Sequence, residues 1–158
     1  MESLAAKALA KLSDFTPQGL SNTAWAFSRI FVFDRPLIDA IAASSMNLLR
    51  DFSPQNVANT AWSFAPLLYT HAPLRAAIAS SAMPPLPAYS KQDLGNLAWS
   101  FAKLECRLGG PLLQAISKEA ISLIPEFGPQ DIGIMAWASA ILAVVDRPFF
   151  FGSIVCCD

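Results

Sequence analysis

The chain has 158 residues, enough for one domain with a substantial core. Apolar residues make up 54% of it and charged residues 15%, below the roughly 25% charged content usual in soluble domains, so its elements must bury surface on several sides or belong to something larger. The formal net charge is −1, so no global pull toward a polyanion exists, which counts against strong autonomous binding of nucleic acid.

The first segment, "MESLAAKALAKLSD" at 1–14, begins a helical pattern at once. It has no arginine, carries Glu2 and lacks an apolar h-region, so it reads as neither a transit nor a signal peptide. Next comes "FTPQGLSNTAWAFS" at 15–28, which opens like a helix. Thr16 offers a hydroxyl as N-cap, Pro17 takes the first helical position, and Phe15 can staple the entering chain. A Pro-marked turn leads to a second helix in "FDRPLIDAIAASSMNLLRD", with Leu37, Ile41 and Leu48 at helical spacing. The pair then recurs. "FSPQNVANTAWSFA" from Phe52 is followed by "THAPLRAAIASSAM" with Leu74 and Ile78, cut short by Pro84, Pro85 and Pro87. "YSKQDLGNLAWSFA" from Tyr89 is followed by "LGGPLLQAISKEAISLI" with Leu112, Ile116 and Ile121. "FGPQDIGIMAWASA" from Phe127 is followed by "VDRPFFFGSIV". Ser53 and Ser90 are the matching N-caps, Pro54 and Pro129 the matching first residues, and Asp93 and Asp131 suit the positive end of the helix dipole.

Gln18, Gln55, Gln92 and Gln130 stand 37, 37 and 38 residues apart, as do Trp25, Trp62, Trp99 and Trp137. A fixed period in this range is the signature of a solenoid or propeller. No segment alternates like a strand. The expected fold is all-α, a right-handed α-solenoid of helix-turn-helix repeats of about 37–38 residues, the handedness being that usual for such solenoids. The expected organisation is one helical-repeat domain over 1–158: a half repeat at 1–14, full repeats at 15–51, 52–88 and 89–126, and a truncated repeat at 127–158. Residues 1–14 align with 38–51, so the chain reads as a window cut from a longer array, and uncapped ends predict poor solubility.

Each first helix has two faces. Leu20, Thr23, Ala24 and Phe27 share one, with Val57, Phe64, Leu94 and Phe101 among their copies. Gln18, Asn22, Trp25 and Arg29 share the other, copied as Gln55, Asn59, Trp62 and Pro66, as Gln92, Asn96, Trp99 and Lys103, and as Gln130, Ile134, Trp137 and Ile141. This stripe reads in two ways. In the structural reading, the tryptophans are buried packing and the asparagines bridge repeats by hydrogen bonds. In the recognition reading, the amides of Gln18, Asn22, Gln55, Asn59, Gln92, Asn96 and Gln130 line a groove and meet base edges, while Arg29 and Lys103 touch phosphate. Variation at the next position (Gly19, Asn56, Asp93, Asp131) fits either a base-tuning position or a loop-facing one.

The motif PQ-x-[LV]-[SA]-N-T-A-W-[AS]-F, in units of 37–38 residues, resembles the octotricopeptide-repeat family, and the repeats are also similar to the helical region of FAST-kinase-like proteins. The resemblance covers essentially the whole chain. It implies paired helices stacked in a solenoid and single-stranded RNA binding in processing, stability or translation of mitochondrial or chloroplast transcripts. It implies protein partners within an organelle ribonucleoprotein as well, and a place in mitochondrion or chloroplast, with the cytoplasm as alternative. The fourth copy departs from the pattern at Ile134 and Ser139, and no RAP-like segment is present.

Enzyme chemistry is not expected. His71 sits alone in "YTHAPL" and reads as a solvated turn residue. Asp14, Asp51 and Glu126 recur with the repeat and so lie along a solvated rim, not around a metal. "LGG" at 108–110 lacks the lysine and spacing of a phosphate loop. Cys106, Cys156 and Cys157 have no ligand spacing and suit a reducing compartment. No cofactor, metal or small-molecule substrate is expected. The uncharged run Ile132–Val145 is shorter than the ~20 residues a bilayer requires. The alternative to RNA binding is a scaffold that holds an extended peptide in the solenoid groove, which the near-neutral charge favours; a non-functional gene fragment is a third reading.

Overall fold

The computed structural model describes residues 4–104 and 110–142. Among them lie α1 (Leu4–Ala10), α2 (Pro17–Arg29), α3 (Arg35–Leu48), α4 (Pro54–Phe64), α5 (Ala72–Ala82), α6 (Lys91–Lys103), α7 (Gly110–Leu123) and α8 (Pro129–Leu142). No strand occurs among the described residues. The segment "VDRPFFFGSIV", the three cysteines, Arg107 and Arg147 lie outside them.

Helix starts follow from local chemistry. Backbone N–H groups of Gly19, Asn56 and Asp93 donate to the hydroxyls of Thr16, Ser53 and Ser90 at 3.2 Å each, which satisfies one orphan donor per helix. Asp93 does more than complement the dipole. Its carboxylate accepts from the Ser90 backbone N–H, closing a capping box on α6. Asp131 takes the same part for Gly128 at the start of α8, at 2.9 Å. Before each of these caps runs a single 3₁₀ turn (Leu12–Asp14, Leu49–Asp51, Leu86–Ala88, Ile124–Glu126) ending in an aromatic with extended backbone.

Two rows of helices result. In the first row, α2 packs on α4, α4 on α6 and α6 on α8, and these are the most extensive contacts of the fold. In the second row, α1, α3, α5 and α7 touch their neighbours far less, so the stack closes up on the first-row side. Small residues permit this close approach: Ser21, Ala24, Ala58, Ala61, Gly95, Ala98 and Ala138 are all buried. The core lies between the rows. Leu20, Leu37, Ile41, Leu74, Ile78, Leu94, Leu112 and Ile116 are almost fully enclosed, each stabilising the fold by roughly 2 kcal/mol relative to exposure. The chain is an α-solenoid of helix pairs, α2 with α3, α4 with α5 and α6 with α7.

Helices α2 and α4 end alike. The N–H of Val32 reaches the carbonyl of Phe27 at 3.1 Å, and that of Tyr69 reaches Phe64 at 3.2 Å. Such closure needs a left-handed residue just past the helix. Phe31 (φ 52°) and Leu68 (φ 51°), 37 residues apart, occupy that position without being glycine.

Candidate nucleic-acid interface

The second face of the first-row helices is open. Gln18, Asn22, Trp25 and Arg29 are exposed on α2; Gln55 is exposed while Asn59, Trp62 and Pro66 are half-buried at α4; Gln92 and Lys103 are exposed while Asn96 and Trp99 are half-buried on α6; Gln130, Trp137 and Ile141 are exposed on α8. The structure therefore brings all the sequence-derived candidates onto one face of one row. The reading of the tryptophans as buried packing fails for Trp25 and Trp137, which are 47% and 40% exposed, while Trp62 and Trp99 are half-buried and pack on one another across repeats. The apolar residues that fill the core come from the opposite face, so the indoles are left at the surface.

The tryptophans form a ladder. Trp62 and Trp99 stack with centroids 5.8 Å apart and planes 25° from parallel, and Trp99 meets Trp137 at 6.1 Å and 30°. Trp25 makes no ring contact with a described residue; the Arg29 guanidinium lies over its ring, 6.0 Å from the centroid.

Beside the ladder run the amides. Bridging of repeats by Asn22, Asn59 and Asn96 does not occur: no hydrogen bond among the described residues engages the side-chain amides of Gln18, Asn22, Gln55, Asn59, Gln92, Asn96 or Gln130. The bonds at Gln18, Asn59 and Asn96 use backbone carbonyls, which accept from the hydroxyls of Ser21, Ser63 and Ser100. In the fourth copy, Ile134 replaces asparagine and sits close above Gly95, where a Cβ would stand 3.4 Å from its Cγ2.

Charge on this face is uneven. At its N-terminal edge, the carboxylates of Asp93 and Asp131 are engaged in caps, and Lys91 lies 3.6 Å from Asp131. At its C-terminal edge, Arg29 and Lys103 stand in the last turns of α2 and α6 without an ion pair among the described residues. Arg35 belongs to the second row and pairs with Asp39 at 3.6 Å. Asp14, Asp51 and Glu126 are exposed, and among the described residues no group of three or more His, Cys, Asp or Glu side chains could hold a metal ion. Nor is any described helix long and apolar enough to cross a membrane.

Two features escaped the sequence analysis. One is the indole ladder, whose signal was the constant Trp period. The other is an apolar edge formed by Ile30, Phe31, Val32 and Phe33, joined by Leu68, with Phe31 74% and Leu68 62% exposed. Its signal was four consecutive apolar residues, "IFVF", at a turn. Behind this edge Tyr69 packs on Phe33, Phe64 and His71 and donates its hydroxyl to Asp39.

No curated protein matches the chain. A family model described as RNA-editing substrate-binding complex 6 protein matches residues 1–108, from α1 through α6. That span is more than half of the 158 residues and holds three of the four stripe copies, and the chain belongs to the RNA-editing substrate-binding complex 6 protein family.

Proposed function

We propose that this chain is a single-stranded RNA-binding module of a mitochondrial RNA-editing assembly and has no catalytic activity of its own. The observation that carries the reading is the open first-row face, where uncommitted Gln and Asn amides flank half-exposed indoles. Amides offer paired donors and acceptors to base edges, and indoles offer π-faces to unstacked bases. Arg29 and Lys103 supply local positive charge at one edge, so the near-zero net charge does not prevent contact with phosphate. The family's name supports an RNA-related role, and the resemblance to organelle helical-repeat proteins supports the mitochondrion and the single strand.

The test is fluorescence anisotropy of a labelled mixed-sequence single-stranded RNA, titrated with salt. The wild type is compared with a variant carrying alanine at Gln18, Asn22, Gln55, Asn59, Gln92 and Asn96, its helicity checked by circular dichroism. Salt-sensitive binding that the folded variant loses is the expected result. A well-folded wild type that fails to bind at low salt sinks the reading.

A second reading, docking of a protein partner, is favoured at a different place by the exposed edge of Phe31 and Leu68. It predicts that Phe31→Ser with Leu68→Ser releases protein partners and leaves RNA affinity unchanged.

A further inference from the structure

Trp25 differs from the other three indoles. Trp99 stands between Trp62 and Trp137, each of which gives one face to it: at 5.8 and 6.1 Å between centroids, no planar base fits between these neighbours, since each stacked contact needs about 3.5 Å. Trp25 has no ring partner, and it is the most exposed of the four large indole side chains at 47%. The cation over it is held loosely. A guanidinium in van der Waals contact would lie about 3.5–4.0 Å from the ring, whereas Arg29 stands 6.0 Å from the centroid, at the outer limit of a cation–π contact. At 6.0 Å the spacing is about 1 Å short of the two contacts of about 3.5 Å that an inserted base needs, but the Arg29 side chain is exposed and free of ion pairs among the described residues, so it can swing outward where a packed indole cannot.

We propose that Trp25 and Arg29 form a slot for one unstacked nucleobase of a single-stranded RNA, the base entering between indole and guanidinium. The proposal rests on the RNA-binding reading above and names the position where stacking occurs. Arg29 lies four residues beyond Trp25 and Asn22 three residues before it, so all three share one helix face on successive turns. Trp25 provides the floor of the slot. Arg29 moves outward by a small rotation, stacks on the second face of the base and keeps its N–H groups for the neighbouring phosphate. The free amide of Asn22 stands beside the slot and meets the base edge. Other repeats lack this combination: Pro66 replaces Arg29 in the second, and in the third Trp99, although followed by Lys103, has both faces covered.

The probe is a fluorescein-labelled oligouridylate for affinity and the same strand with interspersed 2-aminopurines for stacking, each with the full chain. Wild-type binding is expected to quench 2-aminopurine emission. Trp25→Leu is expected to abolish the quench and weaken binding by roughly 5- to 150-fold, the range measured for loss of one base–aromatic stack. Trp25→Phe should restore most of both. Arg29→Gln, which leaves the indole in place, should reduce the salt slope by about 1. Quenching and affinity unchanged in Trp25→Leu overturn the slot and leave the RNA reading standing. Absence of wild-type binding to either strand overturns both. Because Trp25 is exposed and contacts no other ring, its replacement is compatible with folding, and Arg29→Gln repeats the test without touching it.

Discussion

Trp62 and Trp99, separated by 37 residues of chain, stack with their ring centroids 5.8 Å apart. The contact joins α4 to α6 on the outside of their shared interface, and Trp99 repeats it with Trp137 on α8. Trp99 therefore clamps two neighbours, whereas Trp25 clamps none. Each aromatic pair adds about 0.5–1.5 kcal/mol beyond area burial. Trp99→Ala is expected to lower stability by about 2–3 kcal/mol in urea unfolding, and Trp25→Ala by less than about 1 kcal/mol. Equal effects at the two positions would show that the ladder holds nothing together.

Tyr89 stands where the other repeats have Phe15, Phe52 and Phe127. Its ring is buried, and its hydroxyl is buried without a hydrogen-bond partner. Burial first, and the nearby charge of Asp93 second, push the phenol's pKa upward, so it stays protonated and neutral. An unsatisfied buried hydroxyl costs about 1–3 kcal/mol. Tyr89→Phe removes that cost at little change in volume. A gain of about 1 kcal/mol in unfolding free energy is expected; a loss of similar size would mean that the hydroxyl has a partner in solution.

How much of this was legible beforehand depended on the range of the interaction. Helix starts were readable because a cap is a contact across three residues: Thr16 with Gly19, Ser53 with Asn56, Ser90 with Asp93. The two-faced character of the first helices was readable from the period, and the buried face, Leu20, Val57 and Leu94, lies where that period put it. The environment of the indoles was not readable. Whether Trp62 is buried or stacked at the surface depends on how closely α4 approaches α6, which small residues such as Gly95 and Ala98 set from another repeat. The left-handed turns at Phe31 and Leu68 were hidden for a different reason. That conformation is normally signalled by glycine, and here Phe31 and Leu68 adopt it where the N–H groups of Val32 and Tyr69 close on the carbonyls of the buried Phe27 and Phe64. Asp93 was read for its charge when its geometry, a reciprocal bond to Ser90, was the larger effect.

His71 is part of the helix it precedes. Its Nδ1 accepts the backbone N–H of Leu74 at 3.1 Å, as the carboxylate of Asp34 accepts that of Leu37 at 3.0 Å one repeat earlier. The imidazole also stacks on Tyr69, with centroids 5.7 Å apart and planes 10° from parallel. His71→Ala removes both contacts and is expected to cost about 1–2 kcal/mol. His71→Asp keeps the cap and loses only the stack, so it should recover about half of that loss in thermal or urea unfolding. An aspartate variant no more stable than the alanine variant would show that the cap is not what His71 contributes.

Tyr69 links pH to stability in the alkaline range. Burial first, then the hydrogen bond to Asp39 and that carboxylate's negative charge, disfavour the phenolate and push the pKa from 10.0 up to about 12. The folded state therefore holds the phenolic proton more tightly than the unfolded chain does. The stabilisation is fully present below pH 10, declines as pH rises above it, and is gone once pH passes the folded-state value near 12. Unfolding free energy measured in urea between pH 8 and pH 12 should fall more steeply for the wild type than for Tyr69→Phe, which has no proton to lose at this position. Asp39→Asn keeps an acceptor for the hydroxyl and removes the charge, which lowers the folded-state value, so its decline should begin at the same pH as in the wild type, end at a lower pH and be smaller in total. Parallel curves for wild type and Tyr69→Phe would mean that the Tyr69–Asp39 bond does not persist in solution, and with it would go the anchoring of the α4–α5 turn to α3 behind the Phe31 and Leu68 edge.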